Sequence, residues 1–423
     1  LAACPSTPVT RSPAAAKFRE AAPNCSAPAF IISTEVLVVW VRTATFCALC
    51  AEATPISLMA ASTDSDMLLT ALARSVSAWT GADSVSFDLE GHGREYVADA
   101  IDVSRTVGWF TSIYPVVLQL DAQADLGTHI RAVKEQLRAI PRKGMTFGVL
   151  RFLSEQPERR QLLNSLAQSQ ISFNYLGQLD QVLADDALLQ QAAESTGDEL
   201  APAGQRKYLL DISGRVQNGE LILVFRYSHS VHQSATIEKL ASGLVKELTG
   251  IIEHCGDLSH AAYTPSDFPL ARLDQQLLDT LLPHSGVENV YPLSPVQEGM
   301  LFHSLYEPGS WVYFDQLIVP INGAVNETAL FDAWRLVVAR HQILRTGFIW
   351  DGVAQPLQIV MEKIDLDIHR YDWRKLDVAS AQEKFERYLI DDRNLGFNFK
   401  RPGVLRLSWI AMPGDEHRLL WSL

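Results

Sequence analysis

The chain has 423 residues, 47% hydrophobic and 9% aromatic, more than one typical domain and enough apolar material for buried cores, so a disordered or collagen-like chain is excluded. Acidic residues outnumber basic ones by 49 to 36 for a net charge of −13, and the absence of any long Lys/Arg block argues against nucleic acid as a partner. The most apolar stretch, Val36 to Val41, is flanked by Glu35 and Arg42 and is too short to cross a bilayer.

Residues 1–62 carry only seven charged side chains, are rich in alanine, and have no clean helical or strand period. This is the texture of a mistranslated or misjoined coding segment. A transit peptide would need an Arg-rich amphipathic face, and a secretory signal an apolar core nearer the start. Four of the five cysteines fall here (Cys4, Cys25, Cys47, Cys50). They are too few for a disulfide framework, which fits a soluble protein of the reducing cytosol, and Cys47 and Cys50 lack the second pair that a zinc site needs.

From Thr63 the texture changes. Leu68, Leu69, Leu72 and Val76 recur at helical spacing behind the capping residues Thr63 and Asp64, up to Thr80-Gly81. Val85, Phe87 and Leu89 alternate with Ser86, Asp88 and Glu90, the period of a strand with one buried face. Further helices are expected over Leu126 to Ile140, ended by Pro141, and over Ile237 to Leu248, ended by Gly250, with a buried strand over Leu221 to Tyr227. Residues 256–289 are polar and turn-prone and read as a linker with a short helix at Leu273 to Leu282. A second unit begins near residue 290. It holds a helix through Leu330, Phe331, Trp334, Val337 and Val338, then strands at Leu357 to Val360, Val404 to Ile410 and Arg418 to Leu423. Strands and helices mix throughout, so the fold class is α/β.

The densest polar cluster is Glu90-Gly91-His92-Gly93-Arg94-Glu95, at the end of the alternating strand. A carboxylate between glycines and an arginine has the chemistry of a proton donor or acceptor; a turn with a solvated ion pair is the alternative. His92 has no partners at metal-ligand spacing. Asn174 and Tyr175, in Phe173 to Gly177, either hydrogen-bond a substrate or fix a strand end. Trp109, Phe110 and Tyr114 are aromatic enough for packing or for a ligand platform. No GxSxG, P-loop or GxGxxG occurs.

Glu90 to Glu95 (EGHGRE), Ser104 to Ser112 (SRTVGWFTS) with Tyr114-Pro115, Gly148 to Arg151 (GVLR), Phe173 to Gln178 (FNYLGQ) and Ser228 to Ile237 (SHSVHQSATI) stand in an order that resembles the C-terminal half of an epimerization domain of a nonribosomal peptide synthetase. Tyr291 to His303 (YPLSPVQEGMLFH), Arg340 to Thr346 (RHQILRT), Gly396 to Asn398 and Arg401-Pro402 resemble the opening half of a condensation domain. The resemblance covers about residues 63–423.

It implies an α/β fold of chloramphenicol-acetyltransferase-like lobes, a C-lobe over 63–255 and an N-lobe over 290–423, joined by the linker. Both families use an HHxxxDG motif, and no adjacent pair of histidines occurs in this chain. By resemblance Glu90 is a catalytic acid/base, Arg94, Asn174 and Tyr175 support substrate or enolate oxygen, and His92 and Arg345 are structural near the site, Arg345 pairing with the aspartate of HHxxxDG. No metal and no directly bound cofactor are implied. The substrate rides on the phosphopantetheine of a peptidyl carrier domain, with adjoining synthetase domains as further partners and no nucleic acid or membrane. An inactive remnant or carrier-docking fragment, and an acyltransferase with a diverged site, are the competing readings.

Overall fold

Alternation of apolar and polar residues builds the sheet of the first unit. The computed structural model describes residues 29–33, 36–42, 57–94, 102–103, 105–178, 205–217, 219–256, 262–283, 286–307 and 312–423, and the chain divides into two units, Leu1–His260 and Ala261–Leu423.

In the first unit seven strands form one sheet in the order β1-β2-β7-β6-β5-β3-β4. They are β1 (Ala29–Ser33), β2 (Val36–Arg42), β3 (Ser84–Gly91), β4 (Ser112–Gln119), β5 (Ile171–Gln178), β6 (Leu210–Gln217) and β7 (Glu220–Tyr227). β3, β5 and β6 run parallel at its centre, and the remaining neighbours pair antiparallel. One face is covered by three helices: α1 (Ser57–Thr80), α2 (Leu126–Arg138) and α4 (Ser234–Gly256). Phe87, Ile212, Phe225, Leu72, Val133 and Ile237 meet there without solvent contact, each burial being worth roughly 1.5–3 kcal/mol for a large aliphatic or aromatic side chain. The opposite positions of the central strands are polar: Ser86, Asp88 and Glu90 on β3, Ser172 and Asn174 on β5, Asp211 on β6. A helix α3 (Pro157–Ser165) and three short helical turns, Pro141–Gly144, Met145–Gly148 and Val149–Leu153, connect β4's side of the sheet to β5.

Four local expectations differ from the structure. The stretch without apparent period contributes β1 and β2; Leu37 and Val39 pair with Phe225 and Leu223 and are buried in the same core. The run Val36 to Val41 hides its period of two because its successive residues are all apolar, so no alternation marks it. The first helix begins at Ser57, ahead of Thr63 and Asp64, and the last continues through Gly250 to Gly256 because Ile251 is fully buried. The expected linker is part of the second unit: Phe268, Ala271, Leu273, Leu278 and Leu282 pack with Val287, Val290 and Ile359. Its apolar residues are spaced among turn-formers, so they read as isolated until a sheet lies beneath them. Cys47 and Cys50 lie outside the described residues.

The second unit has a three-stranded sheet, β10-β11-β8, and a four-stranded one, β12-β13-β14-β9. The strands are β8 (Val287–Pro292), β9 (Gln316–Asn322), β10 (Thr346–Ile349), β11 (Leu357–Met361), β12 (Ile368–Asp372), β13 (Arg406–Ala411) and β14 (Glu416–Ser422). Its helices are α5 (Gln275–Leu281), α6 (Pro295–Tyr306), α7 (Glu327–Arg340) and α8 (Val378–Leu395). The start of α6 is dictated locally: Ser294 and Gln297 form a reciprocal capping box ahead of Pro295 at the first helical position. Phe331 of α7 packs edge-on to Trp409 of β13, their ring centroids 6.3 Å apart.

β9 is an edge strand whose Leu317, Ile318 and Val319 are 51%, 40% and 37% exposed. An apolar edge without a partner strand among the described residues is a template for strand addition. The chain is therefore expected to self-associate, with Leu317→Lys and Val319→Lys shifting it toward monomer. Sedimentation velocity across a wide concentration range reads this directly; a single monomeric species at all concentrations for the unmodified chain contradicts it.

Candidate functional site

The site forms at the end of β3 where the polar face opens. β3 and β5 are parallel with Asp88 opposite Ser172 and Leu89 opposite Phe173, so Glu90 and Asn174 stand side by side on one face. Asn174 Nδ2 donates to Glu90 Oε2 at 2.6 Å, and Glu90 itself is exposed. One carboxylate oxygen is thus held while the other has no partner among the described residues.

Below this pair the same face carries a hydrogen-bonded belt. Tyr208 donates its hydroxyl to Asp88 Oδ2 at 2.8 Å, Lys207 Nζ lies 3.9 Å from the same oxygen, and Ser172 Oγ donates to Asp211 Oδ1 at 2.9 Å. Burial, then the hydrogen bond to Asp88 and the charges of Asp88, Asp211 and Glu90 push the Tyr208 hydroxyl well above its ordinary pKa, so it remains a donor. Asp88 was visible as a partner of Glu90 in the alternating strand. Tyr208 and Lys207 carry no sequence signal, because only tertiary structure brings them across to β3.

Arg94 is used elsewhere. Its Nη1 donates to the carbonyls of Val103 and Thr106, both at 2.7 Å, and Nη2 to that of Gly108 at 3.3 Å. Its guanidinium also stacks 4.3 Å from the centroid of Phe110, and no ion pair joins it to Glu90 among the described residues. Gly93 explains the neighbouring glycine: with φ of 62°, a Cβ there would stand 1.5 Å from the Phe110 carbonyl oxygen. Arg94 and Gly93 therefore clamp the loop that presents Val107 and Trp109, which are 99% and 90% exposed.

Tyr175 falls on the helix-covered face, not beside Glu90. It pairs with Gly214, where a Cβ would press to 3.3 Å from its ring, and it packs on the apolar core. His92 is exposed just beyond β3, and among the described residues no group of three or more His, Cys, Asp or Glu gathers as a metal site. Glu95 and Ser104 of the two motifs lie outside the described residues.

In the second unit Arg345 has a partner within the chain. Its Nη1 donates to Glu288 Oε2 at 2.6 Å and to the carbonyls of Met361 and Glu362, and its Nε donates to that of Val338 at 3.0 Å. Its carboxylate partner among the described residues is Glu288, whose carboxyl the Arg345 hydrogen bond holds below its ordinary pKa. Arg345 ties β8, α7 and β11 together, which is a structural task.

In the first unit a carboxylate is thus oriented by an amide at the open end of a central strand. Residues 56–273 and 287–423 match the family model described as Condensation domain. Over 358 residues the chain is 42% identical to one polypeptide of the linear gramicidin synthase of Brevibacillus parabrevis, covering 84% of this chain and 5% of that protein. It is 32% identical over 360 residues to bacitracin synthase 1 of Bacillus licheniformis, covering 84% of this chain and 7% of that protein. Among solved structures, the epimerization domain from the third module of tyrocidine synthetase B is 34% identical with a TM-score of 0.44, covering 58% of this chain and 55% of that one. The chain belongs to the condensation domain family. It spans a small fraction of the length of these synthases.

No helix among the described residues is long and apolar enough to cross a membrane.

Proposed function

We propose that the chain carries the C-terminal lobe of an epimerization domain at residues 63–255 and the N-terminal lobe of a condensation domain at residues 290–423, in a synthetase that inverts a carrier-bound aminoacyl or peptidyl thioester and joins it to the next aminoacyl unit. The observation that carries this reading is the Glu90–Asn174 pair, one oxygen held at 2.6 Å and the other without a partner among the described residues.

Glu90 removes the α-hydrogen as a proton, and the electron pair left behind delocalises into the thioester carbonyl as an enolate. A proton delivered to the opposite face then gives the inverted centre. One group does not readily reach both faces, so a second acid/base group is required, and by family resemblance it is a histidine of HHxxxDG. Asn174 orients Glu90, and Arg94 acts indirectly by holding the 103–110 loop. The thioester reaches the site on the phosphopantetheine of a carrier domain, with no cofactor bound by the chain itself. A docking or remnant role is the second reading, favoured by the absence of any adjacent histidine pair among the 11 histidines.

An aminoacyl-loaded carrier protein in deuterated water tests the first reading. The chain alone is expected to give no exchange of the α-hydrogen above background, and exchange is expected once a lobe bearing HHxxxDG is added. Carrier binding without exchange in the reconstituted mixture overturns the epimerase reading in favour of docking.

A further inference from the structure

The strand at the margin of the first sheet is apolar on a face where the core does not reach it. β4 lies on one side of β3 and β5 on the other. Antiparallel pairing sets Ile113 opposite Glu90, Pro115 opposite Asp88 and Val117 opposite Ser86, and paired residues share a face. The alternate positions Tyr114, Val116 and Leu118 join the core under the helices. Ile113 and Val117 do not belong to it, and they are 46% and 55% exposed. A strand with one face on the core ordinarily carries polar side chains on the other. Scattered exposed apolar residues need no explanation, but this row takes three successive same-face positions and begins beside Glu90.

Glu90 thus has different neighbours on its two sides. Asn174 on β5 donates to its Oε2 at 2.6 Å and draws that oxygen toward β5. On the β4 side stands Ile113, at the separation of about 4.5–5.5 Å between Cβ atoms that directly opposed residues keep. An α-carbon that gives its proton to the remaining carboxylate oxygen comes within about 3–3.5 Å of it. Its amide nitrogen, thioester carbonyl and side chain leave that carbon in three directions. The β5 side offers an amide, which suits a polar substituent; the β4 side offers hydrocarbon, against which a polar group loses hydration without gaining a hydrogen bond. The row on β4 therefore fits an apolar side chain.

We propose that Ile113 is a specificity-determining residue: the side chain of the residue whose α-centre is inverted rests on Ile113 and extends along Pro115 toward Val117, so the site favours an aliphatic side chain over a polar one of equal size. This rests on the reading of Glu90 as the group that acts on a carrier-bound thioester. Leucine and asparagine share a branched outline and carry no charge, so the charges of Asp88 and Asp211 do not separate them. Covering part of the leucine side chain is expected to favour it by about tenfold.

The test uses the full chain and two stable probes, the amides of N-acetyl-L-leucine and N-acetyl-L-asparagine with aminopantetheine, titrated by saturation-transfer difference NMR. The leucyl amide is expected to bind about tenfold more tightly. Ile113→Thr keeps the branched Cβ that strands favour and removes apolar surface, so the melting curve should hold while the preference falls at least about threefold. Val231→Thr changes an equally exposed residue beyond β7, 55% exposed, and should leave the preference intact. Equal affinity for the two amides, binding of neither, or a preference that survives Ile113→Thr overturns the proposal. Loss of leucyl binding when a lobe bearing HHxxxDG is added also overturns it, and would make the row the seat of that lobe. Glu90→Gln is expected to keep the leucyl preference while losing α-hydrogen exchange, which tells a failure here apart from a failure of the Glu90 reading.

Discussion

Asp392→Ala is expected to destabilise the second unit by about 3–5 kcal/mol, the cost of leaving a buried charge without its partner. Asp392 and Arg406 have side chains only 1% and 5% exposed and meet at 2.5 Å. The same carboxylate accepts from Ser422 Oγ at 2.5 Å and Gln316 Nε2 at 2.8 Å, while Arg406 Nη2 donates to the Asp392 carbonyl at 2.8 Å. One aspartate thus gathers α8, β13, β14 and β9, and its removal strands the Arg406 guanidinium among them. Thermal melts read the effect as a fall of about 10 °C for a unit of this size. Asp392→Leu with Arg406→Met, which removes both charges, should lose less than Asp392→Ala. A melt unchanged by Asp392→Ala would show the network to be dispensable.

Glu90→Gln is expected to lower α-hydrogen exchange by at least roughly 10² in the assembly completed with an HHxxxDG lobe, the usual contribution of a positioned general base. Glutamine keeps the shape of Glu90 and accepts the Asn174 hydrogen bond through its carbonyl oxygen, but it takes no proton. Asn174→Ala leaves the carboxylate chemistry intact and frees its orientation, so its loss should be smaller. Tyr208→Phe should leave carrier binding unchanged while depriving buried Asp88 of its donor. Exchange rates measured by mass shift in deuterated water separate these cases, and equal rates for Glu90 and Glu90→Gln assemblies return Glu90 to the role of a turn residue.

Much of the local structure was legible where the pattern is one-sided. Val85, Phe87 and Leu89 alternate with polar residues and form β3; Leu126 to Arg138 and Leu221 to Tyr227 are a helix and a strand as their periods require. β2 was not legible, because its successive residues from Val36 to Val41 are all apolar and erase the alternation that marks a strand. β6 shows an alternating burial pattern, yet Asp211 and Gly214 in it read as turn-formers. α8 was missed although Asp377 caps it by accepting from the Ser380 amide at 3.0 Å, since its buried positions Ala381, Phe385 and Asp392 include a charge that only a buried arginine justifies.

The residues by themselves determined the chemical character of the site: a carboxylate flanked by glycine at the end of a half-buried strand, the motifs that place the chain in its family, and the face that Glu90 shares with Asp88. What only the tertiary structure decided is partnership. Asn174 reaches Glu90 across 84 residues and Tyr208 reaches Asp88 across 120, while Arg345 finds Glu288 across 57. Arg94, two glycines away from Glu90 in the chain, turns to a loop instead, and Tyr175, next to Asn174, lies on the other face. A period of two states which residues share a side of a strand, but the strand that lies alongside is chosen by burial of the whole core and by the routing of connections. Local spacing does not encode that choice.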